Sequence, residues 1–135
     1  MTRKEAIRQT HQEDTLRALG FTSEEAEQLR RISMTLRRWF EHECNGDIQR
    51  DEQTDKPYCH YGHDDRRYPV ADRETGARKR LLAIVNARAK RMGVCDVTTY
   101  VQTDPRGAAL YVIRKGDVPE GADVSSYYSR GICIY

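Results

Sequence analysis

The sequence predicts an α+β fold, a small antiparallel sheet packed against two long helices with an extra hairpin. Three observations predict it. Tyr100 to Arg114 reads strand, tight turn, strand. Two stretches, one opening at Thr22 and one at Asp72, repeat apolar residues at the three-to-four-residue spacing of a buried helix face. Asp47 to Tyr61 reads as a second, shorter hairpin.

Taken in order, Thr2 to Leu19 is expected to be a helix of modest quality. Its apolar residues are Ala6, Ile7, Leu16 and Leu19, with a polar middle from Gln9 to Thr15. Docking is expected at its C-terminal end only, with Gly20 as the stop. The next helix is the clearest. Thr22 and Glu25 form a capping box, and Phe21 is placed to staple onto Ala26. Leu29, Ile32, Leu36, Trp39 and Phe40 then mark one face, and Asn45-Gly46 stops it. In the hairpin, Asp47–Arg50 and Lys56–Cys59 flank a polar loop, and Pro57 suggests an edge position. Asp64 to Pro69 reads as a charged connector.

Asp72 caps the third helix and Gly93 ends it. Leu81, Leu82, Ile84, Val85, Ala89 and Met92 are its expected buried stripe, and its basic residues are expected on the remaining surface. In the central hairpin, Asp104-Pro105-Arg106-Gly107 has the residues of a β-turn, and Ala109 to Ile113 is apolar enough for a central strand. Gly116 to Gly121 is a loop, Asp123 or Ser125 caps a short turn, and Gly131 to Tyr135 supplies a third strand. Residues 1–135 are expected to form one domain, with helix 2–19 loosely docked.

Composition narrows the function. The 135 residues are 38% hydrophobic and 33% charged, on the polar side of globular. No apolar run approaches the roughly 20 residues of a membrane span, and Met-Thr-Arg-Lys-Glu-Ala has no signal-peptide core. A cytoplasmic setting without a membrane partner follows as the expectation. Cys44, Cys59, Cys95 and Cys133 have no repeated spacing and are read as reduced thiols, with Cys95 and Cys133 as small core residues.

The net charge of +2 is unevenly placed. Arg73, Arg78, Lys79, Arg80, Arg88, Lys90 and Arg91 face only Glu74 within one stretch. Such a cluster attracts nucleic acid or an acidic protein, or simply solvates a helix face.

Chemistry-bearing candidates are few. His42, Cys44, Cys59, His60 and His63 are metal-ligand types, but the spacing matches no compact zinc motif, so no metal is expected. Cys59 and His60 are adjacent on a strand and point to opposite faces, so they make no nucleophile–base pair. No Gly-x-Ser-x-Gly, Walker loop, Gly-x-Gly-x-x-Gly or His-Glu-x-x-His occurs, and the expectation is a non-catalytic protein without a cofactor. Tyrosine and arginine are interleaved instead, at Tyr58, Tyr61, Arg66, Arg67, Tyr68, Tyr100, Arg106, Tyr111, Arg114, Tyr127, Tyr128 and Arg130. That pairing suits single-stranded nucleic acid and equally suits protein–protein hot spots.

From Trp39 onward the chain resembles a family of short proteins encoded by bacteriophages and prophages of Gram-negative bacteria. The resemblance is carried by Trp39-Phe40-Glu41-His42-Glu43-Cys44-Asn45-Gly46-Asp47-Ile48-Gln49-Arg50-Asp51-Glu52, Lys56-Pro57-Tyr58, Asp104 to Tyr111, and Ser125 to Ile132. It brings no catalytic residues. What it implies is a setting in the bacterial host cell, where small phage accessory proteins bind and block host machinery, CRISPR–Cas complexes included. The expected function is therefore an anti-CRISPR-like inhibitor of a host protein or ribonucleoprotein complex. Arg106, Tyr111, Tyr127, Tyr128 and Arg130 would be contacts, with Arg78, Lys79, Arg80, Arg88, Lys90 and Arg91 attracting the partner. The alternative is a direct nucleic-acid-binding protein of phage replication or recombination.

Overall fold

The structure, a computed structural model, describes residues 1–42, 48–54, 57–59, 68–69, 72–104 and 107–134. It is an α+β fold, and among the described residues there are three long helices and two three-stranded antiparallel sheets.

Helix α1 spans Arg3–Ala18. It starts on a capping box: Glu5 N donates to Thr2 Oγ1 at 3.1 Å, and Thr2 N donates to a Glu5 carboxylate oxygen at 2.8 Å. Its only buried residue is Leu16, while Ile7 is 61% exposed. The helix thus docks at its C-terminal end, as its residue pattern requires. Gln12 adds one tie, donating from Nε2 to Cys133 O at 2.5 Å. Gly20 ends the turn at φ +96, a left-handed conformation that glycine adopts without steric cost.

Helix α2 spans Ser23–His42 and opens on the expected second capping box. Thr22 N donates to Glu25 Oε1 at 2.9 Å and Glu25 N to Thr22 Oγ1 at 3.1 Å. Phe21 and Ala26 are both buried, on either side of that cap. Ala26, Leu29, Ile32, Leu36, Trp39 and Phe40 form one buried stripe, with the Trp39 and Phe40 rings edge to face at 6.4 Å. The expected stop at Asn45-Gly46 lies outside the described residues.

Strands β1 (Ile48–Arg50), β2 (Pro57–Cys59) and β3 (Tyr68–Pro69) make the smaller sheet. Two sequence expectations are corrected here. Pro57 is not on an edge strand: β2 is the middle strand, pairing Arg50↔Pro57 on one side and Tyr58↔Pro69 on the other. Proline is tolerated there because it is the first residue of its strand, beyond the end of the β3 ladder. Tyr68 and Pro69, read as part of a connector, form that third strand.

Helix α3 spans Asp72–Met92, and Gly93 follows at φ +69. Among its described side chains the buried ones are Ala77, Leu81, Ile84, Val85 and Arg88. Leu82 and Met92, expected in the stripe, are exposed at 54% and 45%. Leu82 falls off the 81–84–85–88 face by one helical step. Met92 lies past the packed region, with its thioether over Gly20, where an added Cβ would come within 2.0 Å of Sδ.

Strand β4 (Val97–Asp104) begins three residues before the expected Tyr100 and pairs with β5 (Gly107–Arg114) through eight consecutive positions. The expected turn residues Pro105 and Arg106 lie outside the described residues. β5 is central, bounded on its other side by β6 (Ile132–Cys133). Helix α2 lies against β5, α3 packs on α2, and α1 touches α2 and β6. One hydrophobic cluster joins all three helices to Val97, Val101, Ala108, Leu110 and Val112 of the sheet and to Ile134, just after β6.

Cys95 and Cys133 are free thiols, not the core residues expected: Cys95 is exposed and Cys133 half-buried. Cys95 sits in the α3–β4 loop, where neighbouring Val94 is also exposed, so the apolar pair precedes the strand instead of entering the core.

Candidate interaction surface

Side chains alternate across a strand. Ala108, Leu110 and Val112 of β5 enter the helix-side core, so Ala109, Tyr111 and Ile113 face the other way. Ile113 is fully buried but is not part of the main cluster. Its cover comes from the segment leading into β6. A Cβ at Gly131 would stand 2.6 Å from Ile113 Cγ1 and 2.8 Å from Val112 O, so only glycine lets this chain lie so close.

That segment is built from three short 3₁₀ turns, Lys115–Asp117, Val124–Ser126 and Tyr128–Arg130. Asp123 caps the second, accepting from Ser125 N at 3.0 Å, which holds the Asp123 carboxyl below its ordinary value. The third turn places the Tyr128 ring 5.0 Å from Tyr111, edge to face, and 6.1 Å from Tyr100. Tyr100 and Tyr111 are directly opposite one another on β4 and β5. Three half-buried tyrosines therefore form a patch on the sheet face away from the helices. Exposed Arg130 lies with its guanidinium 5.7 Å from the Tyr127 ring centroid, a cation–π contact.

The expected contact residues divide into two groups. Tyr111, Tyr127, Tyr128 and Arg130 are brought together on this segment and sheet face. Arg78, Lys79, Arg80, Lys90 and Arg91 are on α3. Arg106 lies outside the described residues.

Arg88 must be removed from the attracting cluster. It is 1% exposed and structural. Nε and Nη2 both donate to Leu19 O, at 2.9 and 2.5 Å, and Nη1 reaches Asp96 Oδ1. Its guanidinium also stands 5.5 Å from the Phe21 ring centroid. The Arg88 hydrogen bond, with its charge, holds the Asp96 carboxyl below its ordinary value. Arg91 is also engaged, donating to Glu25 Oε1 at 2.6 Å and to Gly20 O at 2.7 Å. Burial pushes the Glu25 carboxyl up, but the bonds from Arg91 and Thr22 outweigh it and the net shift is downward. Among the described side chains of α3 the exposed basic residues are thus Lys79, Arg80, Lys90 and the engaged Arg91, while Arg78 is half-buried.

A signal for Arg88 was present in the sequence, since it continues the 81–84–85 apolar face by one turn. Tyr100, by contrast, is distinguished only by its partner across the ladder.

Among the described residues no group of three histidine, cysteine, aspartate or glutamate side chains converges. The side chains of His42, Cys44, Cys59, His60 and His63 lie outside the described residues. No helix among the described residues is long and apolar enough to cross a membrane. A groove between α2 and α3 is lined by Gln28, Arg31, Ile32, Thr35, Arg80, Ala83 and Ile84. No protein-family model, curated protein or solved structure matches the chain.

Proposed function

We propose that the chain is a non-catalytic, phage-type accessory protein of the bacterial cytoplasm that binds and inhibits a host nucleic-acid-processing or defence complex, in the anti-CRISPR manner. The observation that carries this reading is the Tyr100–Tyr111–Tyr128 patch beside the Tyr127–Arg130 pair. Half-buried tyrosines held by their neighbours lose little side-chain freedom on binding, and Tyr and Arg dominate binding hot spots. Lys79, Arg80 and Lys90 on α3 supply positive charge that speeds encounter with an acidic partner.

The test is a plating assay. Expressed in bacteria whose CRISPR–Cas system targets an infecting phage, the chain is expected to restore plaques, and Arg130→Glu is expected to lose that effect while still folding. Failure of the wild-type chain against a panel of systems of different types overturns the anti-CRISPR reading.

A second reading, direct binding of nucleic acid, is favoured by the same tyrosines as base-stacking platforms together with the exposed α3 cations. It predicts oligonucleotide affinity that falls steeply with salt as phosphate contacts release counterions. No binding at low salt removes it.

A further inference from the structure

Strand β4 is an edge of the β4–β5–β6 sheet. Just before it, Lys115 N donates to Asp96 O at 2.8 Å, which makes Asp96 and Lys115 a hydrogen-bonded pair. Bonded and non-bonded pairs alternate along an antiparallel ladder. Thr98, Tyr100 and Gln102 therefore turn their amides and carbonyls toward β5, and Val97, Thr99, Val101 and Thr103 turn theirs outward. The far side of β5 agrees: Ile134 N donates to Leu110 O at 2.7 Å, so the residues of β5 that bond β6 alternate with those that bond β4.

The outward backbone groups of Val97, Thr99 and Val101 have no hydrogen-bond partner among the described residues. Val124–Ser126 lies beside β4, but its amides are used within its own segment. Ser125 N goes to Asp123 Oδ1, Ser126 N to Asp123 O and Tyr127 N to Val124 O, each at 3.0 Å.

An edge with free donors and acceptors is a template for another strand, and monomeric proteins blunt it with charge, proline or a bulge. Val97-Thr98-Thr99-Tyr100-Val101-Gln102-Thr103 has no charge and no proline, and its pairing to β5 runs without a slip. Every residue but Gln102 is β-branched or aromatic, the types that favour strands.

We propose that β4 pairs antiparallel with β4 of a second copy of this chain across a two-fold axis, fusing two three-stranded sheets into one. A two-fold contact must be self-complementary, and this one is. Paired residues must share a face to keep both helix layers on the same side. The register that then uses all four outward residues sets Val97 opposite Thr103 and Thr99 opposite Val101, with Tyr100 opposite its own copy as a non-hydrogen-bonded pair. Every outward amide meets an outward carbonyl. No charge lies between Val97 and Thr103, so self-pairing sets no like charges together along that span. The proposal stands on edge geometry alone and does not depend on the inhibitor reading.

Sedimentation equilibrium and amide hydrogen exchange on the full chain test it. The expected mass is twice the 15.7 kDa chain, falling to one chain on dilution. In the dimer the amides of Thr99 and Val101 exchange as slowly as those of Thr98 and Tyr100, and dilution selectively releases them. Thr99→Pro removes an outward N–H without touching the β5 ladder and is expected to shift the equilibrium to monomer. Tyr100→Cys is expected to give an oxidative cross-link between copies that the wild-type chain lacks. A chain that stays monomeric at high concentration overturns the proposal. So does a dimer whose Thr99 and Val101 amides exchange fast, which would place the interface elsewhere. Protection of those amides only when another protein is added overturns self-pairing in favour of a foreign strand.

Discussion

Arg88 of α3 donates both its Nε and its Nη2 to a single atom, the carbonyl oxygen of Leu19, 69 residues earlier. Leu19 is the C-cap of α1, and its carbonyl is one of those a helix end leaves without an intrahelical donor. One turn on, Arg91 caps the carbonyl of Gly20 and grips Glu25 of α2. The last turns of α3 thus clamp the joint between the first two helices.

Arg88→Ala is expected to cost about 3 kcal/mol, because a buried carbonyl loses its donors and a packed side chain is removed. Arg88→Lys is expected to restore only part of this, since an ammonium lacks the guanidinium fork. Exposed Lys79→Ala and Lys90→Ala are expected to stay within about 0.5 kcal/mol. Urea denaturation measures all four, and equal midpoints for the Arg88 and lysine variants would contradict the assignment.

The carboxylates of this clamp also predict acid sensitivity. Glu25 and Asp96 are held below their ordinary values of 4.5 and 3.8 in the fold. A carboxyl lowered by folding contributes stability that is complete above its unfolded pKa and is lost as the pH falls through its folded pKa. Stability is therefore expected to decline as the pH drops below about 4.5 and further below 3.8. In Glu25→Gln that decline should be shallower, and a wild-type acid limb unchanged by the substitution would contradict the role of the Arg91 pair.

Gly131 has an ordinary extended backbone, φ −90 and ψ 174, so alanine there meets no conformational penalty. It meets Ile113 Cγ1 and Val112 O instead. Gly131→Ala is expected to cost about 1–3 kcal/mol by overpacking and to lift Tyr128 from Tyr111. The near-ultraviolet circular dichroism of the tyrosines should change with it. Loss of stability with an unaltered tyrosine signal would mean that the segment does not position the patch.

Gly20 poses the opposite case, since its φ of +96 is itself costly for alanine and Met92 occupies the space. Gly20→Ala is expected to destabilise by about 1–3 kcal/mol. Adding Met92→Ala should recover the steric part and leave the backbone part. Full recovery in thermal melts of the double variant would show that the left-handed backbone costs nothing.

Much of the fold was legible in local chemistry. The two capping boxes are written in Thr2–Glu5 and Thr22–Glu25, and the second was read correctly from its spacing. The α2 stripe from Ala26 to Phe40 follows its 3.6-residue period residue by residue. The alternation of β5 and the glycine stops at Gly20 and Gly93 were equally direct. Readings failed where a residue's type and its environment disagree. Arg88 was assigned to the surface by its charge, although its position continued the buried face. Leu82, Met92 and Cys95 were assigned inward by their apolar character, although Leu82 and Cys95 are exposed and Met92 packs only at the margin, against Gly20.

The candidate surface was legible only as a list of tyrosines and arginines scattered over the chain. Sequence determined that these residues exist, that Tyr111 lies in a central strand, and that Asp123 or Ser125 caps a turn leading through Tyr127 and Tyr128. Only the tertiary structure decided that Tyr100, Tyr111 and Tyr128 share one face, that Arg88 leaves the surface, and that β4 rather than β5 is an edge strand of its sheet. The reason is one of range. Caps, turns and periodicity are set by interactions within a few residues. Ladder register, the Arg88–Leu19 clamp and the Gly131–Ile113 contact join residues far apart in the chain, whose meeting depends on how the whole core closes.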